Sequence, residues 1–590
     1  MNELNYNICV DFGTCNTVVS YTIDDKISQL TDDITGDILI PTVIYFVSDK
    51  ITSQTKISDL VYLEHYWIGS TANDLYLTNK DSEYYFYQFK RFLGITSRSI
   101  DKYKEFLTRF HLDYVVDEDT IYLNLKCSDV PERFFKLSII DLISLYFKAI
   151  YQMIKIKLNL VGEINCVITC PAYFHDLQRT QLKKASEDSG FIVNKIYNEP
   201  TAAAIYYLSK YKKSSNSNMF IIYDLGGGTI DTTVLQYHES DCTCEVIDID
   251  GNNGLGGIDI DNLLIIDIYS KYLIDPSNLK WKQKLRNIAE EIKIKLTYNI
   301  NYNVNLESVP IIKAKNNTTQ IVLVDELKIS YSRNQFNNLI NKLIDQMILP
   351  IFNMYEKYQT PNIIFIGGPT QIPLLQFKVK NYLDIKSNDQ NDQNDQNNYK
   401  SNQLTTSDNL EKSNINLYKT IVSQGGTLLS KFLSEKKGFY LLDIIPMNIG
   451  ISDPDNQMVI MIEKNSKIPL SIEKTFTTSH DCQRNIDIEV YEGSNLNCLS
   501  NTFIGSYKII GIPPLPKGMI LIKLLFKISY NGILNISISG FKNPSDNSAK
   551  SFDFKMCENI KLISNLMAKD ILKKIIQAKI NSNSNTNNSK

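Results

Sequence analysis

The chain reads as multidomain: an α/β first part, an antiparallel β domain after it, and a short helical segment near the C-terminal end. Three observations predict this. Strand-like and helix-like segments alternate early, as in GEINCVITC (162–170), DLQRTQLKKASEDSG (176–190) and NMFIIYDLGGG (218–228), which is the pattern of an α/β domain. From about residue 446 the period becomes two. IDIEVYEG (486–493) sets Ile486, Ile488 and Val490 on one face, and LLFKISYNGILNISIS (524–539) is two alternating runs about Asn531-Gly532, a pair that favours a tight hairpin turn. Residues 557–580 then return to helical spacing.

The 590 residues exceed what one core can organise. Hydrophobic residues at 43% and charged residues at 22% are a globular mix. A net charge of −3 gives no electrostatic case for a nucleic-acid partner. The most apolar stretches, such as 518–528, are short and broken by Lys523, so no membrane span is expected. The ten cysteines include no C-x-x-C pair, and Cys242 and Cys244 are poorly spaced for zinc. Reduced thiols in a cytosol-like compartment are expected, and the strand-like opening NICVDFG argues against secretion. The abundance of Asn, Ile, Lys and Tyr is what an AT-rich genome produces, as in a protist or a large DNA virus. The expected location is therefore cytoplasmic, the host cytoplasm if a virus encodes the chain. Residues 387–414 and 581–590 are too polar to bury a core and are expected to be a disordered insertion and tail.

The segment GFYLLDIIP (438–446) joins the two textures. It reads either as one more buried strand or as a linker that docks in one state and is released in another. The expected divisions are 1–436 for the α/β domain, 437–445 for the linker, 446–556 for the β-rich domain, 557–580 for the helical segment and 581–590 for the tail.

Chemistry concentrates in two similar segments, ICVDFGTCNT (8–17) and IIYDLGGGTID (221–231). Each is an apolar strand, then Asp, then a turn of glycine and threonine. Small residues let backbone N–H groups approach phosphate oxygens, and the hydroxyls add donors. Asp11 and Asp224 at the strand ends suit a hydrated Mg²⁺. Two copies some two hundred residues apart suggest duplicated lobes facing one nucleotide. GNNGLGGIDID (251–261) and IIFIGGPTQIP (363–373) add two more glycine pairs, the second suited to close approach by a purine or ribose. In NEPTAAAI (198–205) the small residues pack a helix closely, a structural role, while Glu199 is a candidate for orienting water or metal. In the helix 281–297, Trp281, Leu285, Ile288, Ile292 and Leu296 form a buried stripe. Glu290, Lys293, Ile294 and Thr297 share another face, either solvated or set against a ribose and base.

Together these segments closely resemble the seventy-kilodalton heat-shock chaperone family of the actin-like ATPase superfamily. The matches run from residue 8 to about 540: DFGTCNT, FKRFLG (89–94), CPAYFHDLQR (170–179), NEPTAAAI, DLGGGTID, GLGGIDID, IGGPTQIP, LLDIIPMNIGI (441–451), TFTTSHD (475–481), VYEG, GIPPLPKG (511–518) and NGILNIS (531–537). The resemblance implies a two-lobed actin-like ATPase domain followed by an antiparallel β-sandwich and a truncated helical lid. By it, Asp11 and Asp224 hold a Mg²⁺ water shell with Asp231 near the metal. Gly13, Thr14, Cys15, Gly226, Gly227, Gly228 and Thr229 cradle phosphates. Lys90 and Glu199 position the attacking water, with Asp224 and Thr229 beside them. Gly256, Gly257, Glu290, Lys293, Thr297, Gly367 and Gly368 line the nucleoside pocket. Pro171, Arg179, Leu441, Leu442 and Asp443 couple the ATP site to the linker, and Ile451, Phe476, Ile486 and Ile488 line a peptide groove. ATP or ADP, Mg²⁺ and K⁺ are the implied cofactors. Unfolded polypeptides, a J-domain co-chaperone and a nucleotide-exchange factor are the implied partners.

The chain departs from the family's pattern in several places. Cys15 stands where a hydroxyl residue is usual and Ile294 where an arginine stacks on adenine. Pro369, Gln371 and Lys419 replace a serine, an arginine and an acid around the base and ribose. Gly438 replaces an acid in the linker, and Pro454 and Ser479 sit at the groove's arch. Adenine affinity is expected to be weakened by these changes, and a short lid to give fast peptide exchange. The resulting expectation is an ATP-hydrolysing chaperone. The alternative is a non-hydrolysing, nucleotide-responsive co-chaperone or holdase of the same family. A filament-forming or sugar-phosphorylating relative is opposed by the β domain and the linker.

Overall fold

The computed structural model describes residues 6–391, 417–542 and 551–558, apart from 24, 62–64, 79–83, 109–112, 118–119, 131, 212–217, 276, 278, 316–317, 361, 436–439 and 553–554. The chain divides into two compact units, one of residues 1–93 and 123–446 and the other of 94–122 and 447–590. The segment 94–122, expected within the first domain, thus groups with the second unit.

In the first unit, two sheets repeat one topology. Strands β1 (Ile8–Phe12), β2 (Asn16–Ile23), β3 (Ile164–Cys170) and β4 (Phe191–Asn198) lie in the order β4-β3-β1-β2, with β1 antiparallel to β2 and parallel to β3. Strands β5 (Met219–Leu225), β6 (Ile230–His238), β7 (Thr243–Asn252) and β8 (Ile363–Ile366) lie in the order β8-β5-β6-β7, with β5 antiparallel to β6 and parallel to β8. Each Asp-Gly/Thr motif is therefore the turn of a hairpin whose first strand has a parallel neighbour. The duplication suggested by the motifs is visible in the strand order. Both first strands are nearly continuous apolar runs because both of their faces are covered.

Four helices matter for the site: α1 (Glu199–Tyr211), α2 (Gly257–Tyr272), α3 (Leu279–Tyr298) and α4 (Leu417–Glu435). Helices α1 and α4 share one core with both sheets, joining Cys9 and Val167 to Ala202, Ala203, Ile222, Val246 and Ile421. A Cβ on Gly425 would fall 1.8 Å from the Ala202 carbonyl oxygen, so α1 and α4 cross in backbone contact. This is the close packing that the alanines of NEPTAAAI suggest. In α3, Leu285, Ile288, Ile292 and Leu296 are buried in the second sheet's core and Trp281 packs against it, as the spacing predicts.

The segment before the second unit is β9 (Tyr440–Ile444), which pairs in parallel with β7 and sets Cys244 opposite Leu441. GFYLLDIIP is thus a sheet strand laid beside β7 from residue 440 onward, while Gly438 lies outside the described residues. Leu441 and Asp443 alternate on the less exposed side, where Leu441 packs on the core, whereas Leu442 is 37% exposed; Ile444 at the strand's end is buried.

The second unit holds β10 (Ile449–Ser452), β11 (Met458–Ile462), β12 (Leu470–Thr477), β13 (Asn485–Glu492), β14 (Thr502–Ile510), β15 (Ile520–Ile528) and β16 (Leu534–Lys542). They form two antiparallel sheets, β11-β10-β13-β14 extended by Lys555–Glu558, and β12-β15-β16 extended by Ser551–Phe552. The Asn531-Gly532 hairpin joins β15 to β16, and Gly532 supplies the positive φ of 70° that the turn needs. The helical segment expected at 557–580 begins with two residues that end a strand, and 559–580 lie outside the described residues, as does the tail 581–590. A helix, Pro373–Asn391, runs into the start of the polar tract 387–414, and residues 392–414 are outside the described residues. No helix among the described residues is long and apolar enough to cross a membrane.

Candidate nucleotide site

The two hairpin turns meet. A Cβ on Gly227 would lie 2.4 Å from Cys15 Sγ, and one on Gly228 would lie 2.8 Å from Thr14 Oγ1. Only glycine lets the backbones approach so closely. Around them opens a cavity of about 350 Å³, the size of a small-molecule site. Fifteen of the expected residues line it: Asp11, Gly13, Thr14, Cys15, Lys90, Glu199, Asp224, Gly226, Gly227, Thr229, Glu290, Lys293, Thr297, Gly367 and Gly368. Ile294, Pro369, Gln371 and Lys419 line it as well.

Its floor is ionic. Lys90 Nζ sits 2.8 Å from Glu199 Oε1, both buried. Burial opposes the Lys90 charge, but Glu199 and Asp11 beside it hold its pKa above the ordinary lysine value. Thr169 Oγ1 donates to Asp11 Oδ1 at 2.8 Å. Burial, and then the charge of Glu199, push Asp11 up to about 7. The same two causes push Asp231 up to about 7 and raise Asp224 well above the carboxylate range. Four carboxylates therefore surround one lysine. Asp231 Oδ1 accepts the Tyr173 N–H at 2.8 Å, while its buried Oδ2 has no protein partner. Such a deficit of positive charge in a buried site fits a cation. Among the described residues no three acidic, histidine or cysteine side chains converge closely enough to grip a bare ion, so the donor set suits a Mg²⁺ that keeps its waters.

Four expected residues stand behind the wall instead of lining it. Gly257 and Ile258 donate their N–H groups to the Gly226 and Gly227 carbonyls at 3.0 and 2.9 Å. The start of α2 is thereby bonded to the back of the Gly226–Thr229 turn, so Gly256 and Gly257 lie behind the residues that line the cavity. A Cβ on Gly256 would strike the Gly227 backbone at 2.6 Å. Gly228 is held by Arg91, whose Nη2 donates to its carbonyl at 2.9 Å and to Asp259 Oδ2 at 3.1 Å. Asp231 lies beneath the Asp224 strand end as its ladder partner. On α3, Lys293 Nζ is 2.7 Å from Asp261 Oδ2. Burial, only partly countered by Lys293, pushes Asp261 up to about 6. Burial first, and then Glu290, push the Cys15 thiol up to about 12, so it is neutral.

A second network leaves the floor along β4. Arg179 donates to Asn198 Oδ1 at 2.7 Å, to the Ala172 and Pro171 carbonyls at 3.1 and 3.4 Å, and to Cys170 Sγ at 3.2 Å. Asn198 Nδ2 donates to both carboxylate oxygens of Asp443 on β9, at 3.0 and 2.8 Å. Burial raises the Asp443 pKa, and Arg179 works against that rise. Pro171, Arg179 and Asp443 thus converge through Asn198, while Leu441 packs on the core and Leu442 is exposed. Asn198 is the next residue to Glu199, so the linker strand and the ionic floor share one stretch of chain.

In the second unit, Ile486 and Ile488 lie on one face of β13 and Ile451 on the neighbouring β10, whereas Phe476 belongs to the other sheet. Ile451 and Ile488 are buried, and Phe476 and Ile486 are half-buried.

Sequence reasoning missed Arg91, Thr169, Asp259 and Asn198 as supports, and Tyr298 and Tyr418 as lining residues. Arg91 and Asn198 stand inside FKRFLG and NEPTAAAI, yet nothing local names partners so distant in sequence.

Compared with known families, the chain matches the one described as Hsp70 protein over residues 7–397 and 410–579. It belongs to the Hsp70 family. Among Hsp70 relatives, it is 28% identical to chaperone protein dnaK1 of Synechocystis over 544 residues, 90% of this chain and 69% of that protein. It is 32% identical to chaperone protein DnaK of Thermotoga petrophila over 392 residues, 64% of this chain and 60% of the relative. It is 27% identical to DnaK of Ureaplasma parvum over 549 residues, 91% of this chain and 77% of the relative. Its mixed α/β sheets and helices fit the multidomain Hsp70 fold.

Proposed function

We propose that this chain is an ATP-hydrolysing chaperone that binds and releases unfolded polypeptide segments. The observation that carries this reading is the Lys90–Glu199 pair set among Asp11, Asp224 and two glycine turns on one cavity. Hydrolysis joins a water oxygen to the γ-phosphorus and breaks its bond to the β–γ bridging oxygen. It needs positioning and charge neutralisation more than covalent chemistry. In this reading the N–H groups of Gly13–Cys15 and Gly226–Thr229 hold the phosphates. Lys90 stays protonated against Glu199 and orients the attacking water, while Glu199 and Asp224 are placed to take up the proton that leaves it. Asp11, Asp224 and Asp231 would hold Mg²⁺ through water, and the ion would offset the charge gathering on the phosphate oxygens. Glu290, Lys293, Thr297, Gly367 and Gly368 would face the nucleoside, and a K⁺ beside the phosphates belongs to the same proposal. Peptide would bind along Ile451, Phe476, Ile486 and Ile488. The Arg179–Asn198–Asp443 relay would report linker docking to the floor. A J-domain co-chaperone and a nucleotide-exchange factor are the proposed partners, in the cytoplasm.

The buried catalytic-type pair favours hydrolysis over the alternative of nucleotide binding alone. Single-turnover ATP hydrolysis with Mg²⁺, with and without an unfolded peptide, tests it. A measurable rate that peptide accelerates is expected. Tight ATP binding with no turnover would leave only a nucleotide-responsive holdase.

A further inference from the structure

The two ends of the cavity differ in chemistry. The end at Asp11, Lys90 and Glu199 is ionic, whereas the last turns of α3 add Ile294 and Tyr298 beside Glu290 and Lys293. Ile294 and Tyr298 stand four residues apart on that helix, so their side chains share one face. Both line the cavity, and they are 44% and 57% exposed. Tyr418 at the start of α4, half-buried, lines the same cavity. One aliphatic and two aromatic side chains on a cavity wall are a surface suited to the apolar face of a ligand. Two of the polar groups nearby are partly engaged: Thr297 Oγ1 donates to the Lys293 carbonyl at 2.9 Å, and Gln371 Nε2 donates to Thr370 Oγ1 at 3.3 Å.

Telling adenine from guanine requires hydrogen-bonding groups matched to the edge of the base, because apolar walls discriminate weakly between similar shapes. We propose that Ile294, Tyr298 and Tyr418 form a stacking platform that takes a purine by its face and not by its edge, so that the site accepts guanine as well as adenine nucleotides. This rests on the nucleotide reading above and names its substrate class as purine nucleotides in general.

The test is calorimetric titration of the full chain with Mg·ADP, Mg·GDP and Mg·tripolyphosphate, the last a probe without a base. ADP and GDP are expected to bind within about fivefold of one another, as for a site that lacks edge contacts. Tyr298→Ala and Tyr418→Ala are each expected to weaken both nucleotides about tenfold, the usual size of a lost stacking contact, while tripolyphosphate binding stays unchanged. Tyr298→Phe should retain nucleotide affinity. GDP binding more than about a hundredfold weaker than ADP would overturn the platform while leaving the ATPase reading intact, since such a ratio demands edge recognition. Equal losses of tripolyphosphate in the alanine variants would also overturn it, because the tyrosines would then act through structure. If neither nucleotide binds, both readings fall.

Discussion

Lys90 is a cation kept where a cation is poorly solvated, and its neighbours explain why it stays charged. It is 2% exposed, rests 2.8 Å from Glu199, and has the Phe12 and Phe174 rings 5.9 and 5.4 Å from its ammonium. An ammonium so enclosed has little freedom, which is the property a water-orienting group requires. Lys90→Ala is expected to leave nucleotide binding nearly intact and to slow single-turnover hydrolysis by roughly two to three orders of magnitude, the cost of losing one preorganised electrostatic group. The same change strands Glu199 as a buried unpaired carboxylate, a loss of about 3–5 kcal/mol in stability. Lys90→Ala combined with Glu199→Gln should therefore regain part of the melting temperature and none of the rate. Recovery of the rate with the stability would mean that Lys90 acts only as a structural partner.

At the scale of elements, strand β9 repeats in miniature how far a pattern can be read. Its apolar composition marks it as something that docks, and the parallel pairing with β7 shows where. Composition alone gives Leu441 and Leu442 the same standing. A strand turns successive side chains to opposite faces, so Leu441 packs on the core while its neighbour Leu442 stays exposed. Leu441→Asp is thus expected to undock the strand, since an unpaired carboxylate buried against apolar surface costs several kcal/mol, about tenfold in population for each 1.4 kcal/mol. Peptide stimulation of ATPase should fall at least about tenfold with basal turnover preserved, and Leu442→Asp should change it less than about threefold. Equal effects from the two variants would show that alternation does not govern docking. The other readable parts are those with a strong period or turn signal: the α3 stripe, the Asn531-Gly532 hairpin and the two Asp-ended strands. Contacts that cross more than a hundred residues left no local trace. Arg91 to Asp259 is one, and the binding of the start of α2 to the Gly226 and Gly227 carbonyls, which removes Gly256 and Gly257 from the cavity wall, depends on another element's position.

For the whole molecule, the first unit is organised around a concentration of buried acid that its own residues do not neutralise. Asp11 and Asp231 titrate at about 7 in the folded chain against an ordinary value of 3.8, with burial and then Glu199 as the causes. Folding therefore retains protons that the unfolded chain has released, and stability falls as pH rises wherever the unfolded state binds fewer protons. The sign is fixed: the contribution of these groups is complete below about pH 4 and is lost progressively as pH climbs through about 7. Asp231→Asn isolates one of them, because the amide oxygen can still accept the Tyr173 N–H while no charge can form. In the nucleotide-free chain the variant should match the wild type near pH 4 and exceed it near pH 8, by an amount on the order of 2–4 kcal/mol if the shift of about three units is carried in full. Denaturant midpoints measured across that range, following the transition that Mg·ADP displaces, would show the two curves diverging upward from about pH 5. Adding Mg·ADP should flatten the wild-type curve, since a cation beside ionised carboxylates favours the charged form. Parallel curves for wild type and Asp231→Asn, or a wild type more stable than the variant at pH 8 without ligand, would show that the acid cluster is already satisfied within the protein and does not call for a cation.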